Sequence, residues 1–204
     1  MVAIASDSVQ TFWRWFEDHE PELFAFEEHI ETIFIELFTQ LQKVHEGLCF
    51  EFGPITNGRR EFSVSAGGRL EIFPAVMALA ATAPSLPRWD IREFRQPKTD
   101  FLSFDGCGFE LTTEQLRFQT VADRDHLHLT LYYTGRAHVD PEALEQAAFF
   151  MADMVLGEFD MEVFIGRVDV VPGTSSDGRP LIELTSAVAN FKQNVVSQLR
   201  ARAM

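Results

Sequence analysis

The chain has no apolar run approaching the roughly 20 residues that a membrane-crossing helix needs. Its first residues, MVAIASDSVQ, contain neither a basic nor an apolar leader segment. Both absences predict a soluble, unexported cytoplasmic protein. Cysteine is scarce: Cys49 and Cys107 form no CxxC pair, and each lies beside strand-like sequence. The expectation is two free buried thiols in a reducing compartment, with neither a disulfide nor a metal between them.

Positive charge is also short, with 17 Lys and Arg against 31 Asp and Glu and a net charge of -14. The basic residues are scattered singly or in pairs such as Arg59-Arg60, so no patch could overcome the repulsion from a phosphate backbone, and nucleic acid is excluded as a partner. An acidic surface favours a neutral or basic protein partner; the plainer reading is that it serves solubility alone. Phosphate-binding motifs are missing as well. Gly67-Gly68 precedes a helix but belongs to no GxGxxG or Gly-Lys-Ser/Thr pattern, so a strand-to-helix turn is the better explanation, and no cofactor is expected.

What the chain does have is phenylalanine, 20 residues of it against 2 Tyr, in 204 residues: enough length and apolar volume for a sizeable core. Helical sequence occupies 8–46. A first helix carries Phe12, Trp13 and Phe16 on one side and ends before Pro21. A long second helix, from Glu22 to about Glu46, repeats Leu23, Phe26, Ile30, Ile33, Phe34, Leu37, Leu41 and Val44 at three- and four-residue steps. Phe24, Ile35 and Phe38 form a second stripe, which predicts cover on that side by the first helix or a second subunit.

Two pseudo-repeats follow, over 47–96 and 114–171, each reading strand, strand, helix, strand. In the first, Phe50 and Phe52 alternate with polar residues, Asn57-Gly58 marks a tight hairpin, and Phe62 and Val64 continue the alternation. Pro74 opens a short helix, and Trp89 and Ile91 supply the third strand. In the second, Leu127, Leu129 and Leu131 alternate with His126, His128, Thr130 and Tyr132. Asp140-Pro141-Glu142 starts a helix, Gly157 ends it, and FDMEVFIGRVDVV is the return strand. Residues 96–108 read as a connection, and a last helix spans 183–202, with Leu199 in its stripe and Arg200 and Arg202 suiting its negative end. The predicted fold is α+β: one domain of two tandem ββαβ units forming a mostly antiparallel sheet with helices on one face, plus an N-terminal helical pair and a C-terminal helix.

The ordered series FWRWF, REFSVSAGG with FPAV, RWDIREFRQ, LYYTG, LGEFD and IGRVDVVP resembles a family of uncharacterised bacterial proteins over nearly the whole chain. The resemblance implies a bacterial cytosolic protein of α+β fold and carries no activity, substrate or site residue with it. Phe164 stands where that family more often has a polar residue, which implies a more covered outer side of its strand.

Alternation predicts that one sheet face is left outward and collects Glu51, Glu61, Ser63, Ser65, Asp90, Arg92, His126, His128, Thr130, Tyr132 and Glu162. From it the sequence offers a binding surface of Glu51, Glu61, Ser63, Ser65, His126, His128 and Tyr132. His126 and His128, two apart on a strand, share a face, and with a carboxylate from Glu51, Glu61 or Asp123, or with His138, they are the candidate metal ligands. No Gly-x-Ser-x-Gly elbow activates Ser63 or Ser65, so no catalytic residue is assigned. The leading expectation is a non-enzymatic acidic binding or regulatory module with a protein partner. The alternative is a small-molecule enzyme, metal-dependent, centred on His126 and His128. A third reading is a homodimer through Phe24, Ile35 and Phe38.

Overall fold

Asn57 and Gly58 adopt φ values of 53° and 77°, the left-handed pair that a two-residue hairpin requires. The hairpin they close belongs to the first of two compact units, residues 1–95 and 96–204, in a computed structural model describing residues 6–98, 100–106, 108–135 and 139–202. Cys107 and His138 lie outside the described residues, as do the side chains of Leu199, Arg200 and Arg202. The fold is α+β, with helices and mixed sheets in both units.

The first unit runs α1 (Ser6–Asp18), α2 (Glu20–Phe24), α3 (Ile30–Val44), β1 (Cys49–Thr56), β2 (Arg59–Ser65), α4 (Phe73–Ala81) and β3 (Trp89–Glu93). Its sheet has the order β1-β2-β3, with β2 antiparallel to β1 and parallel to β3. A helix between two strands returns the chain to the end where the first began, which is why the third strand runs parallel. Phe12, Trp13 and Phe16 of α1 are buried with Phe62 and Trp89. The rings of Phe16 and Trp89 meet edge to face at 5.0 Å, and Trp13 donates from its indole N–H to the Leu79 carbonyl at 3.0 Å.

The expected long helix over 22–46 is broken. Helix α2 stops at Phe24, a single 3-10 turn covers Phe26–Glu28, and His29 at φ -146° separates it from α3. The break serves a residue far away in sequence. Arg60 of β2 points to the core side, and the irregular segment lays Phe26 under its guanidinium at 4.6 Å and brings the Glu27 carboxylate to 2.7 Å from it. Apolar spacing ran through the break because Phe26, Ile30 and Ile33 keep four- and three-residue steps on either side of it. The second stripe is split too: Phe24 packs on Trp89 at 5.6 Å, while Ile35 and Phe38 remain exposed.

The second unit begins with a hairpin, β4 (Ser103–Gly106) and β5 (Phe109–Thr112), inside and just past the stretch read as a connection. A capping box between Thr112 and Gln115 then turns the chain into β6 (Leu116–Asp123). The unit continues with β7 (His126–Tyr133), α5 (Pro141–Leu156), α6 (Glu158–Phe164), β8 (Ile165–Pro172), β9 (Arg179–Pro180) and α7 (Leu184–Arg202). Its sheet order is β8-β7-β6-β9, with only the β7–β8 pair parallel. The sheets of three, two and four strands remain separate among the described residues, where the sequence suggested edge-to-edge joining into one.

Asp140 caps α5 by accepting from the N–H groups of Glu142 and Ala143, each at 3.1 Å. The α5 stripe of Leu144, Ala147, Ala148, Met151 and Val155 is buried with Leu129, Leu131, Leu184 and Val188. Gly157, at φ 76° and ψ 155°, ends that helix and at once starts α6, so the expected return strand is shorter, and Phe159 to Phe164 are helical. Glu162 and Phe164 accordingly stand on a helix, not on the sheet; Phe164 is half-buried, with the Lys192 ammonium 5.0 Å from its ring.

Candidate functional site

The seven residues assigned to the predicted surface divide between the units. Glu51, Glu61, Ser63 and Ser65 belong to the first sheet, and His126, His128 and Tyr132 to the second. On the first sheet, Ser63 pairs laterally with Glu51 and Arg92, and Glu61 with Asp90. Central strand position removes the serines from use: Ser63 is 2% and Ser65 1% exposed. Their hydroxyls are also committed. Ser63 donates to Glu61 Oε1 at 3.0 Å, and Ser65 Oγ accepts from the Gly67 N–H at 3.0 Å and from Arg95 at 3.1 Å. The expected outward placement of Ser63 and Ser65 is therefore corrected: they brace the turn at Gly67 and their neighbouring acid. Glu51 and Glu61 remain half-buried at the same face, and Cys49 is a free, half-buried thiol.

The second sheet keeps an open face. Along β7, Leu127, Leu129, Leu131 and Tyr133 are buried, while His126, His128, Thr130 and Tyr132 are half-exposed, the two-residue period of a sheet covered on one side. Register builds rows across this face. Val121, His128 and Arg167 form one, Gln119, Thr130 and Asp169 the next, and Arg117, Tyr132 and Val171 a third. Tyr132 donates its hydroxyl to Gln119 Oε1 at 2.8 Å, and Gln119 donates on to Ser175 Oγ at 2.9 Å, so the loop after β8 is tied to the face. Arg167 and Asp169 bond at 2.7 Å. Val121 stands bare among these groups, 66% exposed.

His126 and His128 share this face, as their spacing required. Each nonetheless has its own carboxylate: His126 Nδ1 lies 3.0 Å from Asp125 and His128 Nε2 lies 3.5 Å from Asp123. Among the described residues no group of three or more His, Cys, Asp or Glu side chains is arranged to hold a metal ion. Arg117, Gln119, Val121, Arg167 and Asp169 are the residues that sequence reading missed. Their signal was available, since they alternate with Phe118, Val168 and Val170, which face the core.

Elsewhere, the first unit has a groove of about 570 Å³ lined by Val9, Trp13, Arg14, Glu17, Ala78 and Thr82. The second has one of about 580 Å³ along α5 at Phe149 and Phe150, and a smaller one of about 310 Å³ between α5 and β8. Among the described residues no helix is long and apolar enough to cross a membrane. Comparison with family models, curated proteins and solved structures found no match.

Proposed function

We propose that this chain is a non-enzymatic, cytoplasmic binding module that holds a protein partner on the open face of β6, β7 and β8. The observation that carries the reading is Val121: an apolar side chain, 66% exposed, at the β6 end of a row that continues through His128 and Arg167, groups able to hydrogen-bond. Exposed apolar side chains set beside groups that hydrogen-bond are what protein-binding surfaces combine. The Tyr132–Gln119–Ser175 chain holds part of this face in place before any partner arrives, which lowers the ordering cost of association. The net charge of -14 favours a neutral or basic partner and an association that weakens with salt.

The test begins with a photo-crosslinking residue at position 121 to capture the partner in cells, followed by titration of that purified protein. Val121→Arg is expected to weaken binding about tenfold or more while leaving the unfolding midpoint in place. A partner whose affinity ignores that substitution, or crosslinks to small molecules alone, overturns the reading.

A further inference from the structure

The edge of the second sheet carries a different surface from its open face. Strand β8 is eight residues long, and among the described residues it pairs with β7 only. Exposed strand edges are usually blunted by shortness, proline, lysine or a bulge. In the first unit, β1 holds Pro54 within its length and slips register between Phe52 and Ile55, and β3 has five residues. Strand β8 slips register between Ile165 and Arg167 and closes on Pro172; between them the run Arg167 to Val171, Arg-Val-Asp-Val-Val, stays in register with β7 and holds neither lysine nor proline.

The direction of its free backbone groups follows from one bond. The Gly173 N–H donates to the Tyr133 carbonyl at 2.8 Å, so odd-numbered residues at this end of β8 direct their amides to β7. Alternation turns those of Val168 and Val170 away from it. Pro172, also even-numbered, stands where a missing N–H costs the β7 ladder nothing.

We propose that two copies of the chain pair antiparallel through this edge, with the two-fold axis at Val168. The argument is self-complementarity. An axis at Val168 sets Arg167 opposite Asp169 of the second copy, and Asp169 opposite its Arg167, on the face where both are exposed. Val168 then meets its own counterpart in a pair that exchanges both backbone bonds, and Arg167 and Asp169 fall in the closer-spaced pairs between. Moving the axis to Val170 would set Val168 against Pro172, which has no donor. On the core side Val168 and Val170 are only partly buried. Beside them lies the groove of about 310 Å³ with Phe149 of α5 at its wall among Glu145, Glu162 and Arg167, which a second copy at this edge would cover. A two-fold interface uses one patch twice, so its charges must complement themselves, and the Arg-x-Asp order satisfies this.

Mass by light scattering across a concentration series tests the proposal, with wild type expected at twice the 23.2 kDa of the monomer. Asp169→Arg places like charges opposite one another and is expected to raise the dimer dissociation constant about tenfold or more. The double substitution Arg167→Asp with Asp169→Arg restores complementarity and is expected to restore the dimer. Circular dichroism confirms that both variants fold. A monomer at every concentration overturns the proposal, as does a dimer indifferent to Asp169→Arg. So does a dimer that dissociates on Phe38→Glu instead, which would assign the contact to α3.

Discussion

Arg60 donates from Nη2 to Glu27 Oε1 at 2.7 Å, and only the carboxylate end of the pair reaches solvent: Arg60 is 4% exposed and the Glu27 side chain 55%. The guanidinium also faces Phe26 at 4.6 Å and Phe24 at 5.4 Å, and its Nε has no partner among the described residues. A buried cation held by two rings and one carboxylate fixes the path of residues 24–28.

Replacing Arg60 by Met keeps the volume and removes the charge, so unit stability is expected to stay within about 1 kcal/mol of wild type. Arg60→Ala also empties the space beneath both rings and is expected to cost about 2–4 kcal/mol. All three tryptophans, Trp13, Trp15 and Trp89, lie in the first unit. Tryptophan fluorescence during denaturant unfolding therefore reads this unit alone.

Acid is expected to weaken the same unit. Burial pushes the Glu20 carboxyl upward, but hydrogen bonds from Arg88 and Trp89 and the charge of Arg88 outweigh it, holding its pKa below the usual 4.5. A bond from its own backbone, then Arg60, lowers Glu27; Arg59 lowers Asp90 from its usual 3.8. Each carboxyl binds its proton more weakly folded than unfolded. Their stabilisation is thus complete above the ordinary values and fades as pH falls through the lowered ones. The fluorescence midpoint should fall below about pH 4.5 and fall less steeply in Glu20→Gln with Glu27→Gln and Asp90→Asn. An equally steep fall in the triple variant counts against these groups.

In the second unit, the two ends of α5 give separable effects. Asp140→Ala leaves the Glu142 and Ala143 amides without their acceptor and is expected to cost about 1 kcal/mol, recovered by Asp140→Ser. Gly157→Ala forces a side chain into a conformation that essentially only glycine adopts, at a cost of about 1–3 kcal/mol. Thermal unfolding followed by circular dichroism should rank Asp140→Ser above Asp140→Ala, with Gly157→Ala lowest.

Zinc distinguishes the binding module from the metal-dependent alternative. With each imidazole facing its own aspartate, added Zn²⁺ is expected to leave the thermal midpoint unchanged. A rise that disappears in His126→Ala with His128→Ala would instead assign a metal to the hairpin.

Local chemistry was legible where one segment decides its own conformation. Asn57-Gly58 turned as read because its left-handed dihedrals are intrinsic to those residues, and Asp140-Pro141 started α5 because cap and acceptors are neighbours in sequence. The open face was half legible: period two identified His126, His128 and Tyr132, while their cross-strand neighbours Val121, Arg167 and Gln119 depend on register. Ser63 and Ser65 misled because alternation gives the side of a sheet and says nothing of what else lies over it.

The sequence by itself determined the α+β class, the β1–β2 and β6–β7 hairpins and the start of α5, since those rest on backbone preferences and contacts within a few residues. Only the tertiary structure decided that residues 25–29 break the long helix around Arg60, that β3 and β8 run parallel to β2 and β7, that residues 103–112 form a hairpin, and that β8 ends its sheet. Those outcomes are set by contacts between residues tens of positions apart, whose free energy belongs to the assembled unit and to no single stretch of the chain.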